Sequence, residues 1–323
     1  MKFKANYQDL KEDYTGFKPA FENHRQSVEN LFFHYLKQFS SEHLNKLMEK
    51  QDSEFYEVFR QRFVYNSAAC FYRSFDLFLG LITLKSNKFI TWSEVTAYYS
   101  RFYIIKAICF LLQRGQIVLN TSREDPLKHN RDWKTFFLFN DNKNIRVYHQ
   151  FSKGYQSLLK GGKGSHQIWW SILETLKEIE GLENERLSFL LDQSVTNPKI
   201  RNEVNYSLEY LEGFNELEWF DSNMKERFRR MDDGISDRDF TSKERYFHNI
   251  HPEDIDQGDY YTDLRVFIWE SILCYLEIAK DLLGKTFLLK VEKISDLLNV
   301  HNIQDINPHL ANNMKKEIVK ILD

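Results

Sequence analysis

The 323-residue chain is poor in the residues that interrupt regular structure, with 12 glycines and 5 prolines. Glycine supplies left-handed turns and proline stiff corners, and a sandwich of many short strands needs both at regular intervals. Their scarcity therefore favours long helices. Cysteine is also scarce. Cys70, Cys109 and Cys274 lie far apart in apolar helical stretches, are odd in number and have no metal-ligand spacing. This excludes a disulfide framework and points to buried thiols in a reducing compartment. An excess of one charge is missing too: the formal net charge is −3, with both signs spread along the chain. Whole-protein attraction to nucleic acid or to a membrane surface is not expected, which leaves only local patches. No run of about 18 apolar residues is present, as a membrane span would need. The best stretch, Phe102 to Leu112, is short and contains Lys106. The opening MKFKANYQDLKEDY has no apolar core of signal-peptide length. The expectation is a cytoplasmic protein with no membrane association.

What the chain does have is apolar bulk. Apolar residues make up 42% of it, including 27 Phe and 17 Tyr, enough to bury a sizeable core. Residues 1–20 read as irregular. Helical patterning starts near Phe21, and a second helix is capped by Ser40 or Ser41. From about Asp52 to Leu84, apolar residues recur at helical spacing. Thr91-Trp92-Ser93-Glu94 forms a capping box, and the AYYSRFYIIKAICFLL that follows is apolar on nearly every side, so this helix should be central. Gly115 stands where a left-handed residue would stop it.

The period then changes. GQIVLN, TFFLFN and IRVYHQF are short apolar runs rich in β-branched and aromatic residues, with DNKN as a turn between the last two. A three-stranded β insertion over 115–150 is predicted, followed by a basic loop, KGYQSLLKGGKGS. Helices resume at 165–180 and 185–193. Asn197-Pro198 opens another that runs to about Glu212. Residues 221–260 carry eleven acids and seven bases, too polar for a core, and read as a lid or linker. Helices return at 263–283, 287–298 and 308–322.

Three pieces in this order resemble the HEPN helical domains of prokaryotic conflict and RNA-processing systems. Ala97-Tyr98-Tyr99-Ser100-Arg101-Phe102-Tyr103 is similar to the family's AYYSxFY-like second helix. Gly164-Ser165-His166 resembles the Thr-His that opens its third helix. Arg201-Asn202-Glu203-Val204-Asn205-Tyr206 stands at its Arg motif, and the helix over about Ser67–Leu84 takes the place of its first. The resemblance spans about 65–215. It implies an all-α fold: a HEPN-like helical bundle with a small β insertion and helical extensions. The corresponding divisions are 1–64, 65–215 (with 115–150 inserted), a charged loop or lid at 216–262, and C-terminal helices at 263–323.

The resemblance also implies a function: a component of a prokaryotic antiviral defence or toxin–antitoxin system that acts on RNA, pairs as a homodimer and contacts a protein partner. In such ribonucleases an Arg stabilises phosphate charge, and a His four to six residues later moves the proton of the attacking 2′-hydroxyl or of the leaving group. Here Tyr206 occupies the His position. With an ordinary pKa near 10, a phenol is a poor base at neutral pH. The candidate catalytic set is Arg201, Asn202, Asn205 and Tyr206, which fall on two adjacent helical stripes. A metal-independent endoribonuclease with Tyr206 in the site is one reading. A non-catalytic HEPN sensor or scaffold that binds a protein partner or nucleic acid is the other, and a plain helical interaction protein is a third. No cofactor and no metal are expected.

Other features carry less weight. Lys160, Lys163 and His166 gather near a helix start, where backbone N–H groups favour anions, and form a candidate phosphate or RNA contact. Arg245…His251 and Arg123…His129 have the family's spacing. A chain this rich in both residue types produces such pairs by chance, so Arg245 and His251 are a decoy catalytic pair. GGKGS lacks the Ser or Thr of a phosphate loop, and DDGISDRD lacks the order of a calcium loop. His248, His251, Asp254 and Asp256 suit no standard zinc site. ERFRR at 226–230 is surrounded by acids and reads as a solvated helix face. Tyr98, Tyr99, Phe102 and Tyr103 read as core or dimer interface.

Overall fold

The computed structural model describes residues 5–17, 54–87, 90–120, 133–141, 144–149, 165–192, 260–284 and 297–323. These residues are predominantly helical, as expected, with one small antiparallel sheet. In chain order they form β1 (Ala5–Asn6), α1 (Tyr7–Tyr14), α2 (Glu54–Ser86), α3 (Ile90–Leu111), β2 (Arg114–Asn120), β3 (Trp133–Asp141) and β4 (Asn144–His149). There follow α4 (Ser165–Glu174), a 3₁₀ turn (Thr175–Glu178), β5 (Ile179–Glu180), α5 (Glu185–Asp192), α6 (Tyr260–Leu283), α7 (Ile303–Ile306) and α8 (Pro308–Leu322). The helices expected over 21–51, 197–212 and 287–296, and the charged segment 221–259, lie outside the described residues.

The chain divides into two compact units. The first contains Met1–Phe71, Ile105–Glu183 and Asp281–Phe287; the second contains Tyr72–Ile104, Asn184–Lys280 and Leu288–Asp323.

In the first unit, Tyr56, Phe59, Phe63, Ile108, Phe110, Trp169, Ile172 and Leu173 are buried together with Leu10. In α2 and α4 the spacing of these residues marks one face of the helix, whereas every residue of α3 from Ala107 to Leu111 is buried. Phe110 meets Trp169 edge-on at 4.9 Å, and Ser67 Oγ donates to the Ala107 carbonyl at 2.8 Å. The three-stranded sheet has the order β2-β3-β4. In its register Asp141 pairs with Asn144, the first and last residues of the DNKN signal. The β insertion expected over 115–150 is present.

Several expectations are corrected here. The N-terminal residues expected to be irregular include a capped helix: Asn6 Oδ1 accepts from the Gln8 amide at 2.8 Å, and Leu10 and Tyr14 are buried. An eight-residue helix has too few turns for periodicity to stand out from polar surroundings. Helix α3 starts at Ile90, one residue before its expected cap at Thr91. It stops at Leu111, where the left-handed residue is Gln113 (φ 52°) and not Gly115, which already belongs to β2. The helix expected over 165–180 gives way at Thr175 to a 3₁₀ turn and then to β5, which pairs with β1 in parallel register.

In the second unit two serines join a pair of helices. Ser74 and Ser100 bridge α2 and α3 by hydroxyl–carbonyl hydrogen bonds in both directions. Phe78 stacks on Trp269 of α6 at 5.8 Å, and the Trp269 indole donates to Glu317 of α8 at 2.6 Å. Helix α8 begins as its sequence requires, with Asn307 as cap accepting from Leu310 N and Pro308 in the first turn. It buries Leu310, Ala311, Met314, Ile318 and Leu322.

By length and composition alone, Tyr56–Leu84 could cross a membrane, with 44% of its most apolar stretch buried. The central helix of a water-soluble bundle has the same features.

Candidate functional site

The sequence signature on α3 is the best described part of the expected site. In the second unit, Tyr98 and Phe102 are buried and stack with ring planes 7° apart and centroids at 6.3 Å. Tyr99 and Tyr103 are half-buried, each edge-on to its buried neighbour, at 5.4 and 5.6 Å. The guanidinium of the exposed Arg73 lies 4.6 Å over the Tyr103 ring, a cation–π contact at the surface. Trp92, near the start of the helix, is 66% exposed. The aromatic stripe thus has one row in the core and one row at the surface.

Two signature residues have roles that spacing did not suggest. Arg101 is 2% exposed, with its guanidinium 5.5 Å from the Phe267 ring of α6. Ser100 has no side-chain exposure and makes the helix–helix hydrogen bonds described above.

Ser165 and His166 are the first two residues of α4. The side chain of His166 is not among those described. Arg201, Asn202, Asn205, Tyr206, Lys160, Lys163, Arg245 and His251 all lie outside the described residues, as do Arg123, His129, His248, Asp254, Asp256 and residues 226–230.

The fold also brings together charged groups that no local pattern reveals. In the second unit, Arg186 Nε donates to Glu270 Oε2 at 2.6 Å, and its Nη1 pairs with Glu277. Asn184 Nδ2 donates to Glu277 at 3.1 Å, and its Oδ1 accepts from the Leu187 amide at 2.9 Å, capping α5. Burial alone would lower the guanidinium pKa; Glu270 and Glu277 outweigh this and raise it, so Arg186 stays charged. Cys274 lies beside this cluster, its thiol pushed well up by burial and then by the charge of Glu277. Such a thiol is not a nucleophile at neutral pH. In the first unit, burial likewise pushes up the Cys109 thiol.

A second pair was also missed. His301 Nε2 lies 2.8 Å from Asp76 Oδ1, and Thr83 Oγ1 donates to the His301 carbonyl at 3.3 Å. A carboxylate partner of this kind fixes the orientation of an imidazole ring. The same contact also ties the turn before α7 to α2. The partners are 225 positions apart, so no spacing rule could have found them.

Among the described residues, no group of three or more His, Cys, Asp or Glu side chains is placed to hold a metal ion. Comparison with protein-family models, curated proteins and solved structures finds no match.

Proposed function

We propose that the chain is a HEPN-like, cytoplasmic component of a prokaryotic defence or toxin–antitoxin system that acts on RNA. The supporting observation is an order: a helix ending at Ser86, a signature helix at Ile90–Leu111, and a third helix opening on Ser165-His166 after a β insertion. In the catalytic form of this reading, Arg201 binds the scissile phosphate, Asn202 and Asn205 position it, and Tyr206 donates a hydrogen bond. The RNA 2′-hydroxyl attacks phosphorus, the 5′-oxygen leaves, and a 2′,3′-cyclic phosphate remains with a 5′-hydroxyl end. The proton lost by the nucleophile is returned to the leaving group. A homodimer would build the site across its interface, with the half-buried Tyr99 and Tyr103 as candidate contact residues.

A specific observation favours a second reading. Tyr206 replaces the family's His, and a phenol near its ordinary pKa cannot take that proton efficiently. The alternative is a non-catalytic sensor or scaffold that binds a protein partner of the same system or nucleic acid.

Incubating the purified protein with total RNA, without added metal, separates the two. Cleavage that is lost in Arg201→Ala and reduced in Tyr206→Phe supports the ribonuclease. Cleavage that persists in Arg201→Ala removes that site from the mechanism. Absence of cleavage favours the scaffold, for which co-purification with a protein encoded alongside is the next measurement.

A further inference from the structure

The N-terminal segment touches the point where the signature helix becomes the first strand of the sheet, and it does so through side chains with defined chemistry. All of these contacts lie within the first unit. Helix α3 ends at Leu111, whose carbonyl is one of the four at a helix end that lack an intrahelical donor. Tyr14 Oη donates to that carbonyl at 3.1 Å. Two residues later Gln113 takes the left-handed conformation, φ 52°, which a residue with a Cβ adopts at a cost. Its side-chain amide donates to Asp13 Oδ2 at 2.5 Å. The other oxygen of Asp13 accepts from Tyr56 Oη at 2.9 Å and Arg60 Nη1 at 3.5 Å. Directly after Gln113, buried Arg114 opens β2 and donates to the Thr175 carbonyl.

The segment is anchored independently at both ends. Ala5 and Asn6 pair with Ile179 and Glu180, and Phe17 lies under the Arg60 guanidinium at 4.8 Å. Between these anchors Leu10 is fully buried. Tyr7 and Lys11 both reach Asp281, at 2.9 and 2.7 Å.

We propose that Ala5–Phe17 is a strap that sets where α3 stops and where the β sheet begins, with Asp13 and Tyr14 as its working residues. A helix of apolar residues has no intrinsic reason to stop at Leu111, since Leu112 and Gln113 are both good helix formers. The strap opposes continuation in two ways: it satisfies the buried Leu111 carbonyl and holds Gln113 in its left-handed conformation. Released, the helix would gain by running on through Gln113, and Arg114 would turn away from Thr175. The sheet is then conditional on the N-terminus, whatever the protein acts on.

The test is amide hydrogen exchange on the full-length chain. In Asp13→Ala, exchange at residues 113–117 and at their strand partners Phe136–Phe139 should rise by about tenfold or more, the effect of removing hydrogen bonds to a buried carboxylate. Amides of α6 in the second unit should not change. Asp13→Asn, which keeps one acceptor oxygen, should act in the same direction but less. Adding Gln113→Gly to Asp13→Ala should restore most of the protection, because glycine takes the left-handed conformation without strain. The proposal is overturned if exchange rises only within residues 5–17 while the sheet stays protected. It is equally overturned if protection falls throughout the chain and Gln113→Gly does not bring it back.

Discussion

Ser74 and Ser100 each donate a hydroxyl hydrogen bond to the other's backbone carbonyl, at 2.7 and 2.8 Å. Both side chains are fully buried, so α2 and α3 approach closely with nothing larger than a hydroxymethyl group between them. The small residue in the middle of an aromatic signature thus has a packing reason. Ser100→Ala should cost about 1 kcal/mol, one net hydrogen bond. Ser100→Val replaces the hydroxyl with a methyl, adds a second methyl to a filled space, and should cost about 1–3 kcal/mol more. Urea denaturation of the two variants checks the order; a valine variant as stable as the alanine variant would show that the helices are not in close contact there.

Arg186 bridges Glu270 and Glu277, and all three side chains are at most 31% exposed. Removing it leaves two carboxylates without their common counter-charge. Arg186→Met should therefore cost about 3–5 kcal/mol, the usual effect of breaking a buried pair from one side. The triple variant with Glu270→Gln and Glu277→Gln should recover much of the loss, because the stranded charges are gone. Thermal denaturation of the single and triple variants tests this, and equal destabilisation in both would refute the pairing as the cause.

Much of this fold was legible because long helices and short strands have distinct periods. The spans of α2, the apolar α3, the three strands and α8 follow from apolar spacing and a turn tetrapeptide. What was not legible depends on contacts distant in sequence. The N-terminal helix is stabilised by residues near positions 56, 111 and 281, and α4 yields to a 3₁₀ turn where Arg114 reaches the Thr175 carbonyl. Glycine is the usual left-handed residue at a helix end, so spacing points to Gly115 as the stop of α3, whereas Gln113 takes that conformation with its side chain bound to Asp13. For the candidate site, the sequence located the signature helix and the start of α4. It gave no sign of Asp76–His301 or of the Arg186 cluster.

The three cysteines should differ in reactivity. Cys109 and Cys274 are fully buried and their thiols are pushed up, by burial first, so the thiolate is scarce at neutral pH. Cys70 is only partly buried. Under native conditions a thiol reagent at pH 7.5 should modify Cys70 alone, and all three after unfolding in guanidinium. Peptide mass mapping of the modified sites reads the outcome, and native labelling of Cys274 would contradict its buried position.

Gly115 has a reason to be glycine that is separate from turn conformation. A Cβ at this position would overlap the Phe110 ring, coming within 2.6 Å of Cδ1, and Phe110 is itself buried against Trp169. Gly115→Ala should cost about 1–3 kcal/mol, as overpacking usually does. Phe110→Leu on its own leaves a cavity and also destabilises. Combined, the two should cost less than their sum, because the added methyl enters the space the ring left. Denaturation midpoints of the four proteins give the coupling directly, and strict additivity would mean that the strand can move away from the ring.

Tyr56 makes the stability of the first unit sensitive to alkali. Burial, then the negative charge of Asp13 and the hydrogen bond to it, raise its phenol well above the ordinary 10.0. The folded value lies above the unfolded one, so this contribution is fully present below pH 10.0 and is lost as pH rises beyond it. Above that point the unfolded chain loses the proton and the folded chain retains it, so this residue should subtract about 1.4 kcal/mol per pH unit. Tyr56→Phe should cost about 1.5–3 kcal/mol at pH 7, through loss of a hydrogen bond to a carboxylate. The gap between wild type and variant should then narrow as pH rises past 10, since phenylalanine has no proton to lose. Comparing the two proteins cancels the titration of the other tyrosines. Urea denaturation of both between pH 7 and 11 measures the gap, and a gap that stays constant through pH 11 would mean that the Tyr56 phenol ionises as readily in the folded chain as in the unfolded one.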